Sequence, residues 1–454
     1  MTNSKSLIAE VLLVSLLMTH VTVAQPDRLE IDGADSKRMD AWIDRELPEL
    51  IETYRHFHAH PELSLQEEQT AALVAKSLGK AGYSVQTGIG GHGVVGVLRN
   101  GEGPTLLIRG DMDGLPVTEA TGLPFASTVR TKSSDGVIVG TMHACGHDVH
   151  VTNLLGTARL LASMRPLWQG TLVILAQPAE ELGLGALMMI DDGVFDRFPR
   201  PDNGIALHVA GDLPAGTIGY VSGWAAANVD LVKITLHGRG GHGARPHETV
   251  DPIVASAHLV MALQTIVSRR VDPSESAVVT IGSIHGGTKS NVIPDEVKLE
   301  LTVRSYTDEV RQLLIASIED MARETCNLFG CPRPPDVWIK PDYTPAMFND
   351  PALVTHSVAV FQTLLGEENV IEVAATMTGE DFGRYTRYAK FPTFLYRLGS
   401  VDPENWEESG EGGDPLPSLH SSRYFPDAEP TLRTGLRSMS RLALSLLGPL
   451  AKKE

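Results

Sequence analysis

An α/β fold with a mainly parallel central sheet, carrying a smaller α+β unit within it, is predicted by three features of the sequence. Short apolar runs of strand length alternate with segments whose apolar residues recur at helical spacing. From about residue 225 the texture changes, and the signals follow the order β-α-β-β-α-β. At 454 residues the chain exceeds what one compact core supports, so about two or three domains are expected.

Taken in order, residues 1–24 read as an export leader. Lys5 precedes a run, 7–17, that is apolar apart from Glu10 and Ser15, and Thr22-Val23-Ala24 places small residues before Gln25. An uncleaved anchor is the alternative, but the run is shorter than the ~20 residues a span needs. Helical spacing occupies 39–58 and 67–81, with the His60-Pro61 turn between them. Strand-like runs at 93–98 and 105–108, a helix at 151–164, and buried strands at 171–176 and 205–209 complete a first segment, 25–224.

The second texture covers 225–340. It begins with the alternation 229–236 and a Gly-rich turn, then a helix over 251–268 and strands at 277–284 and 297–304. A helix to about 329 and a strand at 337–340 close it. Helix–strand alternation resumes over 341–454 and ends in an amphipathic helix, 432–447. The acidic, glycine-rich stretch 402–414 reads as a surface loop. The simplest architecture inserts 225–340 into a catalytic domain made of 25–224 and 341–454.

Composition narrows the function. A 42% hydrophobic and 21% charged chain is ordinary for a soluble globular protein. The net charge of −18 disfavours nucleic acid and anionic membrane surfaces as partners, and leaves a small-molecule substrate open. Three cysteines are too few for a disulfide scaffold. Cys326 and Cys331 could pair in an oxidising compartment or remain two thiols, and Cys145 has no neighbour in sequence.

The densest chemistry lies at 142–150, MHACGHDVH, where a thiol, three imidazoles and a carboxylate occupy nine residues. Soft and borderline donors so crowded suit zinc or a neighbouring first-row ion, with Cys145 and His147 two apart around Gly146. A helix N-terminus with a buried Cys and a capping Asp148 is the plainer alternative. The second signal is QPAEE at 177–181, directly after an apolar strand, where open α/β sheets bind ligands. Metal-assisted amide hydrolysis needs one carboxylate to hold an ion and another to move protons, and Glu180 and Glu181 could divide those tasks; a solvated loop is the alternative.

Weaker signals are scattered along the chain. Asp111 and Asp113 end another strand and could orient ligands. His208 stands in an apolar strand, where a lone His is more often a core residue, and His420 is flanked by small polar residues. The stretch 238–243 formally matches G-x-G-x-x-G, but Pro246 and Pro252 interrupt the helix start and no acidic residue follows at ribose distance, so a tight turn presenting His242 is preferred. Asn291 and Arg304 together could grip a carboxylate, though each alone resembles an ordinary surface residue.

In order along the chain, HAHPELS (58–64), RGDMDGLPV (109–117), MHACGHDVH, QPAEE, ALHV (206–209), GRGGHGARPH (238–247), SNVIPDEV (290–297), GEDF (379–382) and SLHSS (418–422) resemble the motifs of the aminoacylase and carboxypeptidase-like metallo-amidohydrolases. The nearest branch is that of hippurate hydrolase and the indoleacetyl-amino-acid hydrolases. The resemblance implies a catalytic domain with an inserted lid or dimerisation domain and a homodimer formed through it. It implies two divalent ions per subunit, zinc or manganese first with cobalt or nickel as alternatives, held by Cys145, His147, Glu181, His208 and His420. Glu180 would be the general base, His242 would steady the oxyanion from the lid, and His242, Asn291 and Arg304 would bind substrate. Gly110 and Gly114 stand where alanines are common, and 131–139 looks long.

The expected activity is therefore hydrolysis of N-acyl amino acids by an exported, periplasmic or secreted, amidohydrolase. A dipeptidase or carboxypeptidase on the same scaffold is the nearest alternative. A non-catalytic binding protein is the other, against which the spare carboxylate of Glu180 argues.

Overall fold

The structure, a computed structural model, describes residues 33–410 and 412–449, and the leader expected at 1–24 lies outside them. Its centre is an eight-stranded sheet in the order Ser84–Ile89, Gly93–Asn100, Gly170–Gln177, Thr105–Asp111, Asn203–Pro214, Thr393–Val401, Ile218–Tyr220, Val370–Glu372. The four middle strands, from Gly170–Gln177 to Thr393–Val401, are mutually parallel. Buried on both faces, Gly170–Gln177 needs an unbroken apolar run rather than alternation, and every one of its residues is buried. The hairpin Ser84–Ile89/Gly93–Asn100 adds an antiparallel edge, whose outer strand is too polar to stand out in the sequence.

One face of the sheet is covered by Gly33–Ala59, His147–Ser163 and Ala428–Leu446, which share a core containing Leu50, Leu154, Trp168 and Leu436. Leu442 and Leu444 continue it. The other face packs on the short helices Gly185–Asp191 and Gly383–Ala389.

A second sheet, antiparallel and in the order Ala277–Gly286, Glu296–Ser305, Asn228–His237, Asp336–Ile339, has its own core. Alternation in Glu296–Ser305 buries Val297, Leu299, Leu301 and Val303 against helices Pro252–Arg269 and Asp308–Phe329. Both helices start where capping chemistry dictates, the Asp251 side chain accepting from the Ile253 N–H and that of Thr307 from Val310. The chain enters and leaves this unit side by side, since Gly223–Ala226 pairs with Met347–Asn349. Two details differ from expectation. Residues 402–414 are not all loop: Pro403–Gly410 is a helix, held by Trp406 Nε1 donating to the Asp212 carbonyl at 3.0 Å. The long segment 131–139 belongs to a two-stranded hairpin, Arg130–Lys132 with Ile138–Gly140.

Candidate metal centre

The site opens at the carboxyl ends of the parallel strands. Pairing between Thr105–Asp111 and Asn203–Pro214 stops at Arg109↔Ala206, and His208 lies just beyond, where the strands part. Glu180 and Glu181 follow Gly170–Gln177 on a turn that forces Ala179 to φ 49°, outside the ordinary range for a residue with a side chain. The buried Glu67 carboxylate holds that turn by accepting the Ala179 N–H at 2.7 Å. His420 is likewise at φ 69°, its N–H bonded to the Ala144 carbonyl at 2.8 Å. Strained backbone at one donor and at the residue before Glu180 marks a site whose geometry is imposed by its surroundings.

Cys145 and His147 flank Gly146, which caps helix His147–Ser163 at φ 77°. A Cβ there would stand 2.4 Å from Val209 Cγ2. Gly146→Ala is expected to strip the protein of metal and activity together, checked by metal analysis of the purified variant; normal metal content would show that the turn tolerates a side chain.

The five side chains expected as ligands converge. Cys145 Sγ lies 3.5 Å from His208 Nε2 and 3.3 Å from His420 Nε2, and His420 Nε2 lies 3.4 Å from Glu181 Oε1. His147 Nε2 is 3.9 Å from the same Glu181 oxygen. Two three-donor sets, Cys145/His147/His208 and Cys145/Glu181/His420, each have their ligand atoms within 4.8 Å of one another and share the thiol. The rings are aimed. His147 Nδ1–H donates to the Asp113 carbonyl at 2.8 Å and His208 Nδ1–H to the Val209 carbonyl at 2.8 Å, so both Nε2 lone pairs face the cluster. His147 Nε2 and Glu181 Oε1 are buried without a hydrogen-bond partner, which is costly unless a cation takes them up. Burial pushes the Cys145 thiol up to about 12, so a nearby cation is what would make it a thiolate. The donor set therefore fits a pair of divalent ions.

Glu180 sits beside this set, 9% exposed, with Oε2 4.0 Å from His147 Nε2. Burial, followed by the charges of Glu380, Glu181 and Asp381, holds its carboxyl well above the usual range. A carboxylate so placed is a strong base. Asp113 braces the site from behind, its Oδ2 accepting from the Glu181 N–H at 3.0 Å and from Ser64 at 2.6 Å. His150, in the same motif, is excluded as a ligand: Nδ1–H donates to Asp111 at 2.6 Å and Nε2 accepts the Val209 N–H at 2.9 Å.

The remaining expected residues divide. Arg304 lines the same cavity of about 500 Å³ as Cys145, Glu180, Glu181, His208 and His420. His242 and Asn291 do not line it. They stand exposed on the ribbon Gly241–His242/Val292–Ile293, where the Gly243 N–H donates to the Asn291 carbonyl at 2.8 Å. His242 Nδ1 accepts the Ala244 N–H at 3.0 Å, which leaves Nε2 as the protonated, outward-facing nitrogen.

Two buried networks support the site, built from residues of motifs the sequence shows but whose pairing it does not. Arg109, fully buried, donates to Gln177, Asp111, Glu380 and Asp381. His58 donates to Asp148 at 2.7 Å and Glu119 at 3.1 Å. Burial alone would lower its pKa, but these two carboxylates hold it at about 10. A pKa raised on folding gives stability that is full below the unfolded value of 6.5 and is lost as the pH climbs toward 10. His58→Gln is expected to flatten that decline, read as thermal midpoint against pH; an unchanged slope would show that His58 does not carry it.

A mainly parallel α/β sheet with a thiol-centred double donor set at its carboxyl edge defines a metallopeptidase-like hydrolase. Residues 107–411 match Peptidase family M20/M25/M40, and the chain belongs to that family. It is 34% identical over 414 residues to thermostable carboxypeptidase 2 of Saccharolobus solfataricus, covering 90% of this chain and 96% of that one. It is 38% identical over 359 residues to the N-acetyl-L-cysteine deacetylase of Bacillus subtilis, covering 79% and 82%. The crystal structure of the Bacillus subtilis YXEP protein, described as a dinuclear metal binding peptidase, superposes with TM-score 0.71 at 30% identity over 90% of this chain and 99% of that one. The chain is a hydrolase of carbon–nitrogen bonds.

Proposed function

We propose that the protein cleaves the amide bond of N-acyl amino acids. The observation that carries the reading is the buried carboxylate of Glu180, free beside a donor set able to hold two ions. Cys145, His147, Glu181, His208 and His420 would hold the ions, Cys145 belonging to both three-donor sets. Divalent cations bound there would supply Lewis acidity and make water a better nucleophile at neutral pH. Glu180 takes a proton from the water that attacks the amide carbonyl and returns it to the leaving nitrogen. Arg304 grips the amino-acid carboxylate through its guanidinium fork. His242 would donate its Nε2–H to the developing oxyanion, with Asn291 beside it. The ribbon that carries both stands away from the cavity, so they reach it by movement of the four-stranded unit or from the second copy of a homodimer. That geometry supports reading 225–340 as a lid and dimerisation unit. The leader-like 1–24 supports export to the periplasm or beyond.

Purified protein with measured metal content, assayed on N-acyl amino acids and on dipeptides with and without chelator, tests the proposal. Hydrolysis of the N-acyl compounds, abolished by chelator and restored by zinc or manganese, is expected. Preference for dipeptides would make it a dipeptidase, and tight binding without turnover would make it a capture protein. Cys145→Ala is expected to lower metal content to about one ion or less per chain, because both donor sets lose their shared atom; full occupancy in that variant would remove Cys145 from the ligand set.

A further inference from the structure

The cavity lining carries arginines that no carboxylate pairs with among the described residues. Arg397 lies on Thr393–Val401 directly alongside His208 in the register Arg397↔His208, and both residues line the cavity. Its Nη2 donates to Thr376 Oγ1 at 3.0 Å, and among the described residues no carboxylate makes an ion pair with it. Asp212 and Glu380 are the acidic groups whose field it feels. Glu380 is already committed, its Oε1 accepting from Arg109 at 3.0 Å and from the Phe382 N–H at 2.8 Å. A half-buried guanidinium with one neutral partner leaves most of its donors for something that enters the cavity.

Arg304 is in the same state. It donates to Thr302 Oγ1 at 2.9 Å and to the Met377 carbonyl at 3.2 Å, and among the described residues no carboxylate pairs with it. Arg397 and Arg304 thus bond to adjacent residues, Thr376 and Met377, from two different sheets. Lys340, whose Nζ donates to the Leu182 carbonyl at 3.2 Å, adds a third cation to the lining. The same lining carries the carboxylates of Glu180, Glu181 and Glu380, so what sets Arg304 and Arg397 apart is the lack of a direct ion pair, not an excess of charge. A single amino-acid carboxylate on Arg304 leaves Arg397 unmatched. Because their anchors are neighbours in the chain and both residues line the one cavity, the two guanidinium groups can serve a single bound molecule.

Resting on the amidohydrolase reading above, we propose that Arg397 is a specificity residue that binds a second carboxylate of the substrate, so that the preferred substrates are N-acyl derivatives of acidic amino acids. The probes are N-acetyl- and N-benzoyl-L-glutamate against the matching L-glutamines, which share size and shape and differ in charge. The metal-replete enzyme is expected to favour the glutamates by about tenfold or more in kcat/KM. In Arg397→Met that ratio should fall to about one, chiefly through KM, while Arg397→Lys retains part of it. In a Glu180→Gln background, calorimetry should show N-acetyl-L-glutamate binding weakened about tenfold by Arg397→Met. Equal turnover of the glutamates and glutamines by the unsubstituted enzyme, or a preference that survives Arg397→Met, overturns the role of Arg397 and leaves the amidohydrolase reading standing. No hydrolysis of any of the four compounds overturns both.

Discussion

Glu180→Gln is expected to lower kcat by about 10²- to 10⁴-fold while the metal content of the purified protein stays as it was. The two halves of that result come from different atoms. Cys145 shares one donor set with His147 and His208 and another with Glu181 and His420, so neither set needs Glu180. What the amide removes is the carboxylate placed beside the donor set to take up and return a proton. Glutamine keeps the shape and can still hydrogen-bond, so a large loss of turnover with little change in KM would assign proton transfer rather than substrate binding. Full activity in the variant would move the base elsewhere. Loss of metal together with activity would make Glu180 a ligand, for which its place with His147 and Glu181 in a third cluster gives a structural basis.

The largest expected effect on stability is at Arg109. Its guanidinium is wholly buried and meets Asp111, Glu380 at 3.0 Å and Asp381 at 3.1 Å. It also lies over the Phe382 ring, 5.8 Å from its centroid. Burial already pushes the Glu380 carboxyl up to about 7, with Arg109 opposing that rise. Arg109→Met removes the one cation among these carboxylates and should destabilise the fold by about 3–5 kcal/mol, because desolvated charge is then left uncompensated. Urea unfolding measures it. Adding Glu380→Gln to Arg109→Met should recover part of the loss, a coupling a double-mutant cycle would isolate. A loss below about 1 kcal/mol would mean the cluster takes up protons instead of remaining charged.

Parts of this site are legible in the sequence for local reasons. Cys145 and His147 declare themselves because Gly146 lets two donors share one turn, and the φ of 77° explains why glycine stands there. Glu180 and Glu181 are visible because an eight-residue apolar strand ends at Gln177 and sheet chemistry places ligands just after it. His208 and His420 carry no such mark. Each becomes informative only next to Cys145, and the His420–Cys145 contact joins residues 275 apart in sequence. The same holds for Arg109 and Glu380, 271 apart, whose motifs show which residues are present but not that they meet. The short helix Pro403–Gly410 was hidden because its composition is acidic and glycine-rich and its anchor is a distant carbonyl, that of Asp212.

The main strand and helix alternation, the change of texture near residue 225, and the chemical kinds of donor were determined by the sequence alone, because periodicity and side-chain chemistry are local properties. Which donors lie together, which histidine is shut out of the site, and which arginines lack a carboxylate ion pair among the described residues were decided by the tertiary structure. His147 and His150 come from the same motif, yet one leaves a lone pair facing Cys145 and the other gives both nitrogens to Asp111 and Val209. A side chain's role depends on which atoms compete for its lone pairs and protons, and those competitors are brought to it from distant parts of the chain.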